Sequence, residues 1–175
     1  MRRRHPSHAK ELPRRWLMTD SRLDEHLWTA LAALPRGAGV ILRHYELPLA
    51  ERRALFAKVA RIARRRGLLL VVAGKDRFGH APGHGRHRGT LTAPVHSRRE
   101  AFGAIRNGAK LLLASPVHPT RSHPGAPTLG PTRLGLLIRG LDVPVVALGG
   151  MNERRWRALR PLGVHGWAGI DAWID

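Results

Sequence analysis

The chain has 175 residues, the size of a single domain, so there is no room for a second independent core. Lys and Arg number 31 against 12 Asp and Glu, yet 43% of the residues are hydrophobic, which argues against an intrinsically disordered chain. There is no cysteine, which excludes disulfides and thiolate metal sites, and no apolar run approaches the ~18 residues of a transmembrane helix.

The N-terminus is basic, with Arg at positions 2, 3 and 4, and no apolar signal-peptide segment follows it. Residues 1–11 are expected to form a basic, flexible tail, and residues 12–175 a single folded domain. The absence of cysteine fits a reducing compartment. We therefore expect a cytoplasmic protein without a membrane anchor.

From Trp16 onward, short apolar runs alternate with amphipathic helices, a pattern typical of a parallel sheet. Seven strands are predicted, at Trp16–Thr19, Val40–Arg43, Leu68–Ala73, Thr90–Ala93, Lys110–Ala114, Val143–Leu148 and Val164–Ile170. Five helices are predicted. The first carries Leu23 to Leu34, the second runs from about Leu49 to Arg66, the third from Ser97 to Gly108, the fourth from about Pro131 to Arg139, and the fifth begins after Asn152.

The alternation fails between Gly74 and Gly89, where no apolar stripe would pack a helix, although a remnant around Gly85–His87 is a candidate eighth strand. Seven or eight parallel strands close as a barrel or stay open as a doubly wound sheet, and periodicity does not decide between them. Because eight-fold barrels usually need roughly 200 residues or more, a barrel here must have lost one or two outer helices in this segment.

Two glycines, Gly149 and Gly150, stand between an apolar strand and a predicted helix. Such a turn lets backbone amides approach an anion, and the loops after the last two strands are the usual phosphate site of barrels. Gly169 stands at the end of the last strand. The alternative is that these glycines only permit a tight turn, and local sequence leaves both interpretations open.

Two further features suggest a polar ligand or catalysis. Thr120, Ser122 and His123 lie in one loop with a neighbouring Arg, which suits an oxyanion, although a solvated surface loop is the commoner outcome. His96 directly follows a predicted strand, which makes it the best candidate acid or base. A metal site at the other histidines, between residues 74 and 89, is not expected because no helix would fix ligand geometry.

Several motifs in this order resemble the thiamine-phosphate synthase and TenI superfamily of (β/α)8 barrels, which act on thiazole phosphate. They are Trp16-Leu17-Met18-Thr19-Asp20, Val40-Ile41-Leu42-Arg43, Ala93-Pro94-Val95-His96-Ser97, Ala114-Ser115-Pro116-Val117-His118-Pro119-Thr120, Pro144 to Met151, and Gly163 to Ala172. The resemblance implies an incomplete TIM-type barrel. It assigns the thiazole phosphate to Gly149, Gly150, Gly169 and Ile170, further substrate contacts to Arg43, Thr120, Ser122 and His123, and proton transfer to His96.

The sequence departs from the synthase pattern where the pyrimidine diphosphate and its metal would bind. Of a Gln-x-Arg-x-Lys pattern only Arg43 remains, and Ala73-Gly74 replaces an Asn-Asp pair whose Asp binds magnesium. A second metal carboxylate has no counterpart between residues 74 and 89, and His123 stands where Lys is usual. No metal ligand and no cofactor is therefore expected, and Mg2+ would be needed only for the synthase reaction.

The leading hypothesis is a thiamine biosynthesis or salvage enzyme that binds a thiazole phosphate and performs TenI-like, metal-independent tautomerase chemistry. One alternative is a divergent synthase that joins pyrimidine diphosphate to thiazole phosphate, and another is a catalytically inactive basic binding module. A nucleic-acid partner is disfavoured because the cations are scattered and do not interleave with aromatic residues. The sequence leaves open whether the protein is a homo-oligomer.

Overall fold

A computed structural model describes residues 11–121 and 125–174 and shows a closed barrel of eight parallel strands in sequence order. The strands are β1 (Arg15–Met18), β2 (Gly39–Leu42), β3 (Leu69–Ala73), β4 (Gly83–His84), β5 (Thr92–Val95), β6 (Leu111–Ala114), β7 (Val145–Leu148) and β8 (Gly166–Gly169). Pairing of β8 with β1 closes the ring. The expected TIM-type barrel is confirmed.

Helices cover the barrel between most of the strands. In the described part of the chain they are α1 (His26–Ala33), α2 (Leu49–Arg66), α3 (Arg98–Arg106), α4 (Gly130–Ile138) and α5 (Glu153–Leu159), with 3-10 turns at Ser21–Leu23, Arg160–Leu162 and Asp171–Trp173. Ser97 and Asn152 cap α3 and α5 as expected, because their side chains accept hydrogen bonds from first-turn amides. Within the described residues, no helix is both long and apolar enough to cross a membrane.

The shortened segment has lost two outer helices, since neither the β3–β4 nor the β4–β5 connection contains one in residues 74–91. The eighth strand lies at Gly83–His84, so its predicted position at residues 85–87 was wrong. The physical reason is a turn: the amide of Gly85 still donates to the Thr92 carbonyl at 3.0 Å, but the Thr90 hydroxyl lies 3.1 Å from the carbonyl oxygens of both Gly85 and His87, and these contacts turn the chain back after the strand. The strand predicted from Thr90 accordingly begins at Thr92.

The core fills the barrel and the space beneath the helices. Most strand residues are buried, and Trp16 and Leu17 on β1 and Ile41 on β2 are fully inaccessible to water. One charged side chain, Arg52 on α2, is only 2% exposed. The packed interior leaves the carboxyl-terminal rim as the place where loops, rather than core residues, meet.

Candidate functional site

A cavity of about 380 Å3 lies at the carboxyl-terminal rim, where the loops after β5, β6, β7 and β8 converge. Seven of the nine residues that the sequence nominated line it: Arg43, His96, Thr120, Gly149, Gly150, Gly169 and Ile170. The other two, Ser122 and His123, lie outside the described residues. Chain positions up to 127 residues apart are thus brought to one concave surface (43 to 170).

The two glycines after β7 are required by the fold itself. Gly149 has φ +96° and Gly150 has φ +57°, backbone conformations that are unfavourable for residues with a Cβ atom. A Cβ atom at Gly149 would lie 2.8 Å from the Cα of Pro116, and one at Gly150 would overlap the carbonyl oxygen of Pro119. The turn therefore requires glycine at both positions for steric reasons alone.

The same turn leaves backbone donors available. The carbonyl of Gly149 accepts from the His118 amide at 3.1 Å, and the carbonyl of Gly150 accepts from the Arg155 guanidinium. The amides of Gly149 and Gly150, in contrast, donate to no atom in residues 11–121 and 125–174. They are the donors that an anion in the cavity would use.

The helix after the glycines contributes less than the sequence suggested. α5 has only seven residues, and the Asn152 side chain already accepts from the amide of Arg155 at 2.9 Å. The dipole of so short a helix adds little to anion binding. Positive charge comes instead from Arg155, whose side chain lines the cavity and was not nominated from the sequence. The sequence signal that could have identified Arg155 is its position three residues after Asn152, the residue that caps α5.

An ion pair also lines the cavity near β8; its Arg belongs to the loop that the sequence nominated for an oxyanion, whereas its Asp was not nominated. Arg121, in the loop after β6, forms an ion pair with Asp171, which begins the 3-10 turn after Gly169 and Ile170. The Arg121 Nη2 atom lies 3.1 Å from Asp171 Oδ2, and Nε donates to the same oxygen at 3.2 Å. The proposed phosphate loop after β8 therefore carries a carboxylate at its edge.

His96 is held in one orientation by its backbone surroundings. Its Nδ1 atom lies 2.6 Å from the carbonyl oxygen of Ser115, and its amide donates to Glu100 Oε2 at 3.1 Å. A carbonyl oxygen only accepts hydrogen bonds, so Nδ1 carries the proton and the neutral ring keeps its lone pair on Nε2. The exposed imidazole at the cavity wall is thus arranged to accept and return a proton.

The β1–β3 side of the mouth has its carboxylates paired with arginines. Asp20 Oδ1 lies 2.8 Å from Arg22 Nε and its Oδ2 lies 3.5 Å from Arg43 Nη1. Partial burial opposes ionisation of Asp20, but the bonds from Arg22 and the charge of Arg43 prevail and hold the pKa below its usual range. Asp76 lies 2.6 Å from the buried Arg52.

Arg52 fills the space between the ends of β2 and β3. Its Nε donates to the Arg43 carbonyl at 2.7 Å, its Nη2 to the Ala73 carbonyl at 2.5 Å, and its guanidinium lies 5.4 Å from the Tyr45 ring centroid. All of these contacts are internal to the fold. The charges of Asp20, Asp76 and Arg52 are therefore engaged by other protein groups.

The histidines of the shortened segment do not form a metal centre: among the described residues no group of three or more His, Cys, Asp or Glu side chains is placed to hold an ion. His84 is buried, and its Nδ1 lies 2.9 Å from the hydroxyl of Thr92 on the neighbouring strand β5. Burial, with the charge of Arg43 as a smaller contribution, lowers the pKa of His84 to about 4. This imidazole is neutral near neutral pH and acts as part of the barrel wall.

Comparisons with known proteins identify the family to which the barrel is similar. The family model described as thiamine monophosphate synthase matches residues 84–173. The thiamine-phosphate synthase of Pyrococcus furiosus is 38% identical over 82 residues, which cover 47% of this chain but only 40% of that relative. The putative thiamine-phosphate synthase 2 of Aquifex aeolicus is 27% identical over 187 residues, covering 94% of this chain and 100% of the relative.

A solved structure matches over nearly the whole fold. The thiamine phosphate pyrophosphorylase of Pyrococcus furiosus superimposes with a TM-score of 0.78 at 26% identity, covering 92% of this chain and 86% of that one. The segment matched by the family model begins at β4 and contains every nominated site residue except Arg43. With the family match covering half of the chain and the barrel agreeing with it, this protein belongs to the thiamine monophosphate synthase family.

Proposed function

We propose that this protein binds a thiazole-type phosphate monoester in the rim cavity and moves a proton on it, as a TenI-like, metal-independent tautomerase of thiamine biosynthesis or salvage. The cavity supplies the amides of Gly149 and Gly150 as hydrogen-bond donors and three cationic side chains. A dianionic ester would accept hydrogen bonds from the amides and would be attracted by the cations. A volume of about 380 Å3 is in the range of small-molecule pockets.

The observation that carries the proposal is the 2.6 Å contact between His96 Nδ1 and the Ser115 carbonyl oxygen, which determines the tautomer of the neutral ring. The Ser115 carbonyl fixes the proton on Nδ1, so the basic Nε2 is the nitrogen left for chemistry. When Nε2 takes up a proton, the same carbonyl stabilises the resulting imidazolium through its hydrogen bond. The ring removes one proton from the substrate and returns one at another atom of the same molecule, so no other reactant is consumed.

The remaining residues position the substrate in this scheme. Gly149, Gly150, Gly169 and Ile170 hold the phosphate through the backbone, while the side chains of Arg43 and Thr120, which line the same cavity, contact the substrate. Ser122 and His123 keep the substrate-contacting role that the resemblance implies.

The divergent synthase is the second candidate, because relatives with this function share the fold and the matched segment. That reaction requires a Mg2+-neutralised diphosphate to leave. Asp20 and Asp76, carboxylates in the connections after β1 and β3, are already engaged by Arg43 and Arg52. Opening either ion pair would leave an arginine without its partner, so this arrangement favours the metal-independent reaction.

The test compares His96→Ala with His80→Ala, which removes an exposed histidine that does not line the cavity. Interconversion of thiazole carboxylate phosphate tautomers is followed by NMR in D2O, and binding is measured by calorimetry. We expect His96→Ala to lower the rate by about 100-fold or more, typical of general acid or base catalysis, while binding is retained. His80→Ala should match the unaltered protein.

Three outcomes would contradict the proposal. If the protein binds no thiazole phosphate, the basic binding module without catalysis remains. If it turns over but His96→Ala is fully active, the acid or base lies elsewhere. If product forms only with the pyrimidine diphosphate and Mg2+, and stops when the metal is chelated, the protein is a synthase.

A further inference from the structure

The ion pair between Arg121 and Asp171 stands at the edge of the cavity, and the function described so far counts Arg121 only as one of three cationic side chains. Its two residues come from the loops after β6 and β8, fifty positions apart in the sequence (121 to 171). Asp171 is the one carboxylate among the described residues that line the cavity. It directly follows Gly169 and Ile170, the residues proposed to receive the phosphate.

The two partners differ in exposure. The Arg121 side chain is 74% exposed, whereas that of Asp171 is 29% exposed. An ion pair with so exposed an arginine contributes little to stability, because water screens the charges and the long side chain loses freedom in the pair. Arg121 can therefore exchange one oxyanion partner for another at low cost, while Asp171 stays fixed in its turn.

A phosphate dianion in the cavity would compete with Asp171 for Arg121. The dianion carries twice the charge of the carboxylate and offers three oxygens, which suits the forked guanidinium. The vacated Asp171 would then repel the bound phosphate, so the two residues have opposite effects on affinity. The pair thus holds Arg121 near the site in the empty protein and sets how strongly a dianion binds.

We propose that Arg121 is a substrate-binding residue that leaves Asp171 for the phosphate of the ligand, and that Asp171 is a built-in competitor that weakens the site for dianions. This inference rests on the proposed function, because it requires a phosphate in the cavity. The sequence already placed Arg121 in a loop suited to an oxyanion; the inference adds the exchange of its partner and the opposing role of Asp171, which the sequence did not nominate.

A double-mutant cycle with inorganic phosphate as the probe tests the exchange. Binding is measured by calorimetry for the unaltered protein, Arg121→Gln, Asp171→Asn and the double variant. We expect Asp171→Asn to bind phosphate about three- to tenfold more tightly, and Arg121→Gln to bind it more weakly by a similar factor. The deciding comparison is Arg121→Gln in the Asp171→Asn background, where affinity should still fall.

That comparison separates a ligand contact from a purely structural ion pair. If Arg121 only neutralised Asp171, its removal would have no effect once Asp171 is uncharged, and the inference would be overturned. Arg157→Gln and Asp142→Asn, which change charge outside the cavity, serve as matched controls and should leave affinity unchanged. If the unaltered protein binds no phosphate, the proposed function fails; if it binds and all four proteins bind alike, only the exchange fails.

Discussion

His84 links the stability of the barrel to pH through its shortest strand. It occupies one of the two positions of β4, pairs with Thr92 in the ladder, and also bonds to the Thr92 side chain. Burial keeps its folded-state pKa at about 4, below the 6.5 of an unperturbed histidine. The unfolded chain therefore binds more protons in this interval, so stability is full above about pH 6.5 and is lost as the pH falls towards 4.

The size of the effect follows from the two pKa values. With about 4 in the folded protein and 6.5 in the unfolded chain, linkage gives a loss of about 2.5 kcal/mol from His84 at about pH 4.5, and almost none at about pH 7. This is a large fraction of the stability of a typical domain, roughly 5–15 kcal/mol. His44, whose pKa burial also lowers, adds to the loss in the same direction.

The measurement is urea unfolding of the unaltered protein and of His84→Asn at about pH 7 and about pH 4.5. Asn keeps a polar group where Nδ1 meets Thr92 but does not titrate. Both proteins contain His44 and the same carboxylates, so the contributions of these groups cancel in the difference between the two free energies of unfolding. We expect His84→Asn to be the less stable protein at about pH 7, and its deficit to shrink by about 2 kcal/mol at about pH 4.5. His80→Asn, at an exposed position, should show no such change. A deficit independent of pH would mean that His84 is not held neutral, and would refute this account of β4.

Two further substitutions test the rim, each measured by chemical unfolding. Gly150→Ala should cost about 2 kcal/mol or more, because its φ of +57° is strained for Ala and the new methyl overlaps the Pro119 carbonyl, and it should weaken phosphate binding. The control is Gly103→Ala on α3, where nothing lies within 4 Å of the new methyl group, and it should stabilise the protein by about 0.5–1 kcal/mol. If Gly103→Ala lost as much stability as Gly150→Ala, the packing argument would be contradicted. Arg52→Met should cost about 3 kcal/mol or more because Asp76 and the carbonyls lose their donor, whereas the exposed neighbour Arg53→Met should change stability by less than about 0.5 kcal/mol. Equal effects at the two arginines would show that the contacts of the buried Arg52 guanidinium do not hold the rim.

The meeting of the nominated residues was predictable because it depends on topology alone. In a parallel barrel every residue that directly follows a strand lies at the same rim, so His96 after β5 and Gly149 after β7 had to come close once the strands were located. The resemblance then selected the closed barrel over the open sheet. Side-chain geometry was not needed for either step.

The charged contacts of the site were not predictable in the same way. Arg121 meets Asp171 and Arg155 meets the Gly150 carbonyl through side-chain conformations that no periodicity encodes. β4 is two residues long, too short for an alternating pattern. In a chain with 27 arginines, charge does not reveal which one is buried. Position 52 did carry a signal, since it lies seven residues before Val59 on the buried stripe of α2.

The connection between β3 and β4, on the side of the barrel without helices, is a suitable place for an engineered insertion. Around His80 the polypeptide passes from β3 to β4 as an exposed connection, and none of the nominated cavity residues belongs to it. Lengthening such a connection costs only about 0.6 kcal/mol for each doubling of its length. A fluorescent reporter or affinity tag inserted there would leave the rim cavity unchanged, so the connection without helices is a suitable insertion site for protein engineering.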